Sequence, residues 1–330
     1  MNDLLMIRQS TIQLMVVSAL AFIYAMTLAG LPLDAFVDRV GYLEYAQTSR
    51  VIMDRYASQG LGVLLVNEPV WLILNIFLLN FLEPENLIRA LIFASAFIVA
   101  FLTLRSARGL MALILLTAFL LLPQVAKNHI NHIRQGVAVA VFLLGWFESR
   151  KNVRWLLLLI TPFIHSSFFF VIFLYILSET TRLLNLSAKA RLLLYVGVCL
   201  VISIIGLSVA ELLGARQAAE AETVASGAVS GLGFVFWLCI AAVLYLQGRD
   251  FLLKNDFSLL IVVFYLSSYF LFPFSARIFE DGILVVLFAC LGLTSYRKLA
   301  FYLLFAFYFL SQWYLRWNLP GLGWGIENFR

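Results

Sequence analysis

Apolar residues run along this chain in long, unbroken stretches joined by short polar links. The stretches cover residues 11–32, 61–82, 87–104, 109–126, 153–178, 192–212, 231–246, 257–274, 282–295 and 299–315, with a shorter one at 136–147. A bilayer core is crossed by about 20 helical residues, which most of these supply. Period-two alternation is absent, which argues against a membrane barrel. The pattern predicts an all-α fold, a polytopic transmembrane helical bundle of about ten to eleven membrane segments. No linker or fixed-period repeat divides it, so residues 1–330 read as a single integral membrane domain.

Lysine and arginine set the expected topology. "ESRKNVR" (148–154), "TRLLNLSAKAR" (181–191), "QGRDFLLKND" (247–256) and "SYRK" (295–298) read as cytoplasmic, which leaves the 213–230 and 274–282 links outside. The stretch at 153–178 conflicts with a single crossing, because basic links flank it on both sides. Its interior reads "LLLLITPFIHSSFFF", and Pro162 breaks a helix by removing a backbone donor. A re-entrant helical hairpin over 153–178 would return the chain to its starting face and place His165 near the turn, deep in the membrane. Irregular backbone at that depth needs protein or a wet cavity around it. The front third has a similar parity problem. "RSARG" (105–109) looks cytoplasmic, as does the start of the chain, and 33–60 reads as outside, yet two apolar candidates and a possible break at "VNEPVW" (66–71) lie between 33–60 and "RSARG".

"KNHINHIRQG" (127–136) is the most polar stretch within the apolar middle of the chain. A helix begun near Asn128 would reach Phe147 and cross the bilayer, with Asn128, Asn131 and Gln135 on one face and Arg134 beside them. An arginine there must face protein, headgroups or water. Its planar fork suits phosphate, so the functional reading is an anion site on the outer face; the plain alternative is snorkelling to the headgroups. Gly136 would let a backbone or ligand approach closely. His165 can act as a base, bond a sugar hydroxyl, or simply bond backbone. Glu68, before Pro69, is either an ordinary helix start or a carboxylate at a cavity rim. Arg277 is either a second anion contact or the partner of Glu280 or Asp281 on its own helix.

Composition removes other classes. The chain is 63% hydrophobic and 12% charged, far below the roughly 25% charged residues of soluble domains. Its net charge of +5 is spread over short links, so no nucleic-acid partner is expected. Cys199, Cys239 and Cys290 are single and lack metal-ligand spacing. No Walker, GxSxG or HExxH motif occurs. A basic membrane cavity with none of these motifs suggests a lipid-linked phosphate substrate, and neither metal nor cofactor is expected.

Together these residues resemble the EpsG-type family of bacterial polysaccharide polymerases, relatives of the Wzy-like polymerases. The resemblance lies in "NHIRQGVAVAVFLLGW", a short basic link and then "FIHSSFFFV", with "NEP" opening an early span, Asp38 and Tyr42 upstream, and "SARIFEDG" ahead of a late span. "ARIFED" is more acidic than the family's usual aromatic run, which weakens the match at Arg277. What the resemblance implies is a membrane glycosyltransferase. A growing glycan on undecaprenyl diphosphate is the donor, a hydroxyl of the next lipid-linked repeat attacks, and the diphosphate leaves, at the outer face of the bacterial inner membrane. Arg134 and a base, His165 or Glu68, would be the catalytic groups. Arg134, Gln135, Asn131, Arg277 and Tyr45 would bind substrate. Partners would be the undecaprenyl-diphosphate-linked oligosaccharide, the lipid bilayer, and a chain-length regulator or flippase. An O-antigen-type ligase uses the same donor chemistry, and a transporter flipping lipid-linked oligosaccharide would also need buried arginines.

Overall fold

The computed structural model describes residues 2–216 and 231–326, with side chains from Thr11 onward except at Val37. The link expected outside at 213–230 therefore lies largely beyond the described residues. Among those residues the regular structure is helical, apart from one isolated bridge between Phe36 and Gly325. The helices are α1 (Asn2–Gly30), α2 (Val37–Ser58), α3 (Leu61–Val66), α4 (Pro69–Leu78), α5 (Pro84–Arg105), α6 (Leu110–Leu120), α7 (Pro123–Ile130), α8 (Ile133–Phe147) and α9 (Lys151–Ile160). There follow α10 (Phe168–Leu183), α11 (Ala188–Leu212), α12 (Leu232–Leu246), α13 (Arg249–Lys254), α14 (Asp256–Ser268), α15 (Ser275–Leu291) and α16 (Ser295–Arg316).

Among the described residues, three helices are long and apolar enough to cross a membrane, at Thr11–Gly30, Pro84–Arg105 and Ala188–Leu212. α6 and α7 make a fourth if taken together, although they bend by 56° at their break. Several other apolar stretches fold as shorter helices, including Pro69–Leu78, Ile133–Phe147, Leu232–Leu246 and Asp256–Ser268. In two stretches the reason is local: Pro69 opens α4 within 61–82 and Pro123 opens α7 within 109–126, so apolar sequence that reads as continuous is cut there.

The chain forms two compact units. One comprises Met1–Asp54, Val70–His165 and Trp313–Arg330; the other comprises Arg55–Pro69 and Ser166–Gln312.

In the first unit, α1 and α5 pack along their length. α1 buries Val17, Ala21, Ala25 and Leu28, one face at a spacing near four. Its small alanines let α5 approach closely, and α5 buries Ile88, Ile92, Ala96 and Val99. The opposite face of α1 exposes Met15, Phe22, Ile23 and Met26, as a lipid-facing surface should. The pair is antiparallel. Gln13 Nε2 donates to Ala107 O (2.9 Å) at one end, and Arg89 Nη1 donates to Ala29 O (2.6 Å) at the other. This resolves the parity problem of the front third. The chain leaves α1 and re-enters α5 at the same end, so the intervening residues make no net crossing. α4, with 10 residues, is only about 15 Å long and too short to cross alone. The 33–60 stretch is mostly the 22-residue helix α2.

In the second unit, α14 is buried on nearly every side from Asp256 to Tyr265 and packs against α11 and α15. A polar hub sits at its first residue. Asp256 Oδ2 accepts from Tyr195 Oη (2.5 Å) and Ser178 Oγ (3.0 Å) and lies 3.2 Å from Arg191 Nη1. The hub joins α10, α11 and α14. Around the other helices an aromatic cluster forms, with Phe236 stacked on Tyr308 at 3.8 Å and Trp237 edge-on to Phe279 at 4.6 Å. Cys199 and Cys290 are buried and Cys239 half-buried, all as free thiols.

Candidate functional site

The stretch 127–136 is not the opening of one long helix. α7 ends at Ile130, Asn131 and His132 form a break, and α8 begins at Ile133. Asn128, Asn131 and Gln135 therefore belong to three different pieces of backbone and do not share a helical face. Arg134 lies in the first turn of α8 rather than two turns into a span. The break is tightly made: Asn131 N and His132 N both donate to Lys127 O (2.9 and 3.0 Å), and Gly136 N donates to His132 O (2.9 Å). Gly136 has a backbone reason for its identity. A Cβ there would sit 2.2 Å from Asn128 O, so the end of α7 rests directly on the start of α8. Gly136→Ala is expected to destabilise the fold by about 3 kcal/mol or more, since backbone must move to make room. A melting temperature within a degree or two of wild type would contradict that packing.

Arg134 is half-buried, and its guanidinium lies over two rings of α2, 5.5 Å from the centre of Tyr42 and 5.2 Å from that of Tyr45. Such placement orients a guanidinium through cation–π attraction. Tyr42 also packs edge-on against Trp71 at 5.9 Å. Beside them, His132 bridges two partners: Nδ1 is 3.2 Å from Gln135 Oε1, and Nε2 is 3.7 Å from Asp38 Oδ2. Gln135 is buried. Asn131 Nδ2 donates to Trp324 O (3.4 Å), in a C-terminal strap that also lays Ile326 N on Ala35 O (3.1 Å). The first unit thus brings together Arg134, Gln135, Asn131 and Tyr45 of the expected substrate contacts, and adds Tyr42, His132 and Asp38.

His165 belongs to the same unit, and Pro162 does interrupt the helix as expected. α9 stops at Ile160, a 3₁₀ turn covers Thr161–Phe163 and packs against α8, and α10 starts at Phe168. His165 is buried in this interruption, with its backbone N–H donated to Thr161 O (3.0 Å).

Glu68 and Arg277 lie in the second unit. Glu68 occupies the joint between α3 and α4, is 2% exposed and has φ of 63°. A non-glycine residue in the left-handed region carries strain, a feature that concentrates at functional positions. Its Oε1 accepts from the backbone N–H of Ser166 (3.2 Å), the residue after His165. Next along, Ser167 Oγ donates to Asp281 Oδ2 (2.6 Å). Two buried carboxylates therefore hold the residues that lead into α10, where negative charge suits a helix N-terminus. Arg277 is half-buried, with its guanidinium over the Phe274 ring at 5.8 Å. The sequence offered Asp281 only as a partner for Arg277, and its bond to Ser167 was not foreseen. The signal was present in "HSS" and "FEDG", but nothing in the spacing links segments more than a hundred residues apart.

A family model described as the EpsG family matches residues 13–325. The chain belongs to the EpsG family. The match runs from α1 through the C-terminal strap and includes every candidate residue above. EpsG membership together with the apolar helices makes this a membrane protein of polysaccharide biosynthesis with a polymerase-type function. No curated protein and no solved structure gives a significant match.

Proposed function

We propose that this EpsG-family chain is a polysaccharide polymerase of the bacterial inner membrane. It transfers a growing glycan from undecaprenyl diphosphate to a hydroxyl of the next lipid-linked repeat unit, at the periplasmic or exterior face. The observation that supports this reading best is Arg134, half-buried in the first turn of α8 with its guanidinium framed by Tyr42 and Tyr45. A helix N-terminus and an arginine favour the same ligand, an anion.

In the reaction the acceptor oxygen bonds to the donor's anomeric carbon, and the bond from that carbon to the diphosphate oxygen breaks. The hydroxyl proton passes to a base, for which His165, in the same unit as Arg134, is the candidate. Negative charge grows on the departing diphosphate, and a positioned guanidinium stabilises it in the transition state. Gln135, Asn131 and Tyr45, in the same unit as Arg134, contact substrate in this reading. The shorter apolar helices enter the bilayer as partial segments, giving about ten to eleven in all. The 153–178 stretch is then a re-entrant hairpin, interrupted at Pro162. A chain-length regulator or a flippase is the expected protein partner.

Deleting the gene in its own host tests the reading, with lipid-linked and surface saccharides resolved by size. The expected result is a collapse of the polymer ladder to single repeats exposed on the outer face. Normal-length polymer retained on its lipid would mean a ligase instead, and single repeats trapped inside would mean a flippase. An unchanged ladder would remove the polysaccharide reading altogether.

A further inference from the structure

We infer that Arg39 is the positioning residue of the Arg134 anion site: its guanidinium pins the C-terminal end of α7 to that of α1, and so fixes where α8 and Arg134 begin. The inference rests on the reading of Arg134 as the diphosphate contact.

Arg39 is fully buried. Its Nε donates to Ile130 O (2.7 Å) and its Nη2 to His129 O (3.2 Å), both in the last turn of α7. Nη2 also reaches Leu28 O (3.0 Å) and Nη1 reaches Leu31 O (3.1 Å), in and just past the last turn of α1. The last carbonyls of a helix lack partners within it and carry the negative end of its dipole. Two such ends converge on one cation. Among the described residues no carboxylate pairs with Arg39; its remaining contact is the Phe36 ring at 4.9 Å. Burial, with Arg89 nearby, lowers its pKa to about 10, so it remains charged at neutral pH. A buried cation with only carbonyl partners is costly to keep. A fork of fixed geometry that grips four carbonyls at once is something only arginine supplies.

Little slack separates Arg39's grip from Arg134. Ile130 is held by the guanidinium, the break spans Asn131 and His132, and Gly136 is seated on Asn128 O. Holding the end of α7 therefore sets the position of the first turn of α8. Arg39 also lies on α2, one turn ahead of Tyr42 and about two ahead of Tyr45. Docking Arg39 thus also brings the two rings over the Arg134 guanidinium. One buried residue aligns both the cation and the aromatic faces that orient it.

Arg89 provides the internal control. It grips the end of α1 through Ala29 O and Leu31 O, but reaches neither His129 nor Ile130. The experiment measures binding of undecaprenyl diphosphate to purified full-length protein, with a melting temperature for each variant. Arg134→Lys should weaken binding. Arg39→Gln and Arg39→Lys should each weaken it about tenfold, the loss expected for one charge-assisted contact. Arg89→Gln should lower the melting temperature yet bind within about twofold of wild type, since α7 stays anchored. Wild-type affinity in Arg39→Gln, full rescue by Arg39→Lys, or an equal loss in Arg89→Gln would each overturn the positioning role. Failure of both Arg39 variants to give a monodisperse protein with a cooperative melt would make Arg39 a folding residue and overturn it too. If Arg134→Lys itself binds as wild type, the anion site falls, and the positioning role with it; a loss confined to Arg134→Lys removes only the role of Arg39.

Discussion

Arg134→Lys should lower polymer formation from purified lipid-linked repeats by about a hundredfold, in line with removal of one transition-state donor. Charge is retained, so the loss measures geometry. Lysine is a compact point charge on a flexible stem, whereas arginine presents a planar fork to two phosphate oxygens. Here the difference is sharpened by the tyrosines. Two rings, at 5.5 and 5.2 Å, hold a flat guanidinium in a set plane that an ammonium would not share. The assay needs equal amounts of inserted protein, checked in the membrane fraction. Near-normal polymer from the lysine variant would remove Arg134 from the chemistry and leave its position as a packing matter.

A second large effect is expected in the second unit, on stability. Asp256→Ala should cost about 3–5 kcal/mol, because it strands Arg191 in a buried position while removing the acceptor of Tyr195 and Ser178. Arg191 would keep only the bond from its Nε to Leu186 O (3.0 Å). The pair as a whole is worth far less than the cost of breaking it, since desolvating both charges offsets their attraction. The double variant Asp256→Leu/Arg191→Met should therefore melt closer to wild type than Asp256→Ala alone. If the double variant proves the less stable, the ion pair contributes net stability and the account of the hub is wrong. Thermal melts of the three proteins in one detergent decide it.

Much of this architecture could be read from the chain. Long apolar runs dictate helices, and Pro162 dictates an interruption ahead of His165. The polar residues of 127–136 mark a place where membrane sequence stops being ordinary. What could not be read was how such runs are cut. Hydropathy reports what a segment dissolves in, not whether it continues, so α6, α7 and α8 looked like two spans and a polar start. Asn128 was assigned to a helix start because a helix begun there would reach Phe147 and cross the bilayer; in fact it lies near a helix end, resting on Gly136. The parity of the front third was obscure for the same reason, since α4 is as apolar as a span but half as long. Arg39 was hidden among the charges of a polar link. Its partners are backbone carbonyls, which every residue has, so no side-chain pattern announces them. The Glu68–Ser166 and Ser167–Asp281 bonds were hidden by distance along the chain.

The C-terminal strap has a consequence for biogenesis. Asn131 finds Trp324 193 residues later, so the break ahead of Arg134 lacks this partner until almost the whole described chain has been synthesised. At bacterial rates that interval is on the order of ten to forty seconds. The front helices can insert and pair during that time, because the bonds from Gln13 and Arg89 join α1 only to residues up to Ala107. The polar break remains incomplete meanwhile, exposed to whatever insertion machinery or lipid headgroups stand beside it. A nascent EpsG-family chain that stalls before Trp324 would hold its helices in the bilayer and still lack a finished junction at Asn131.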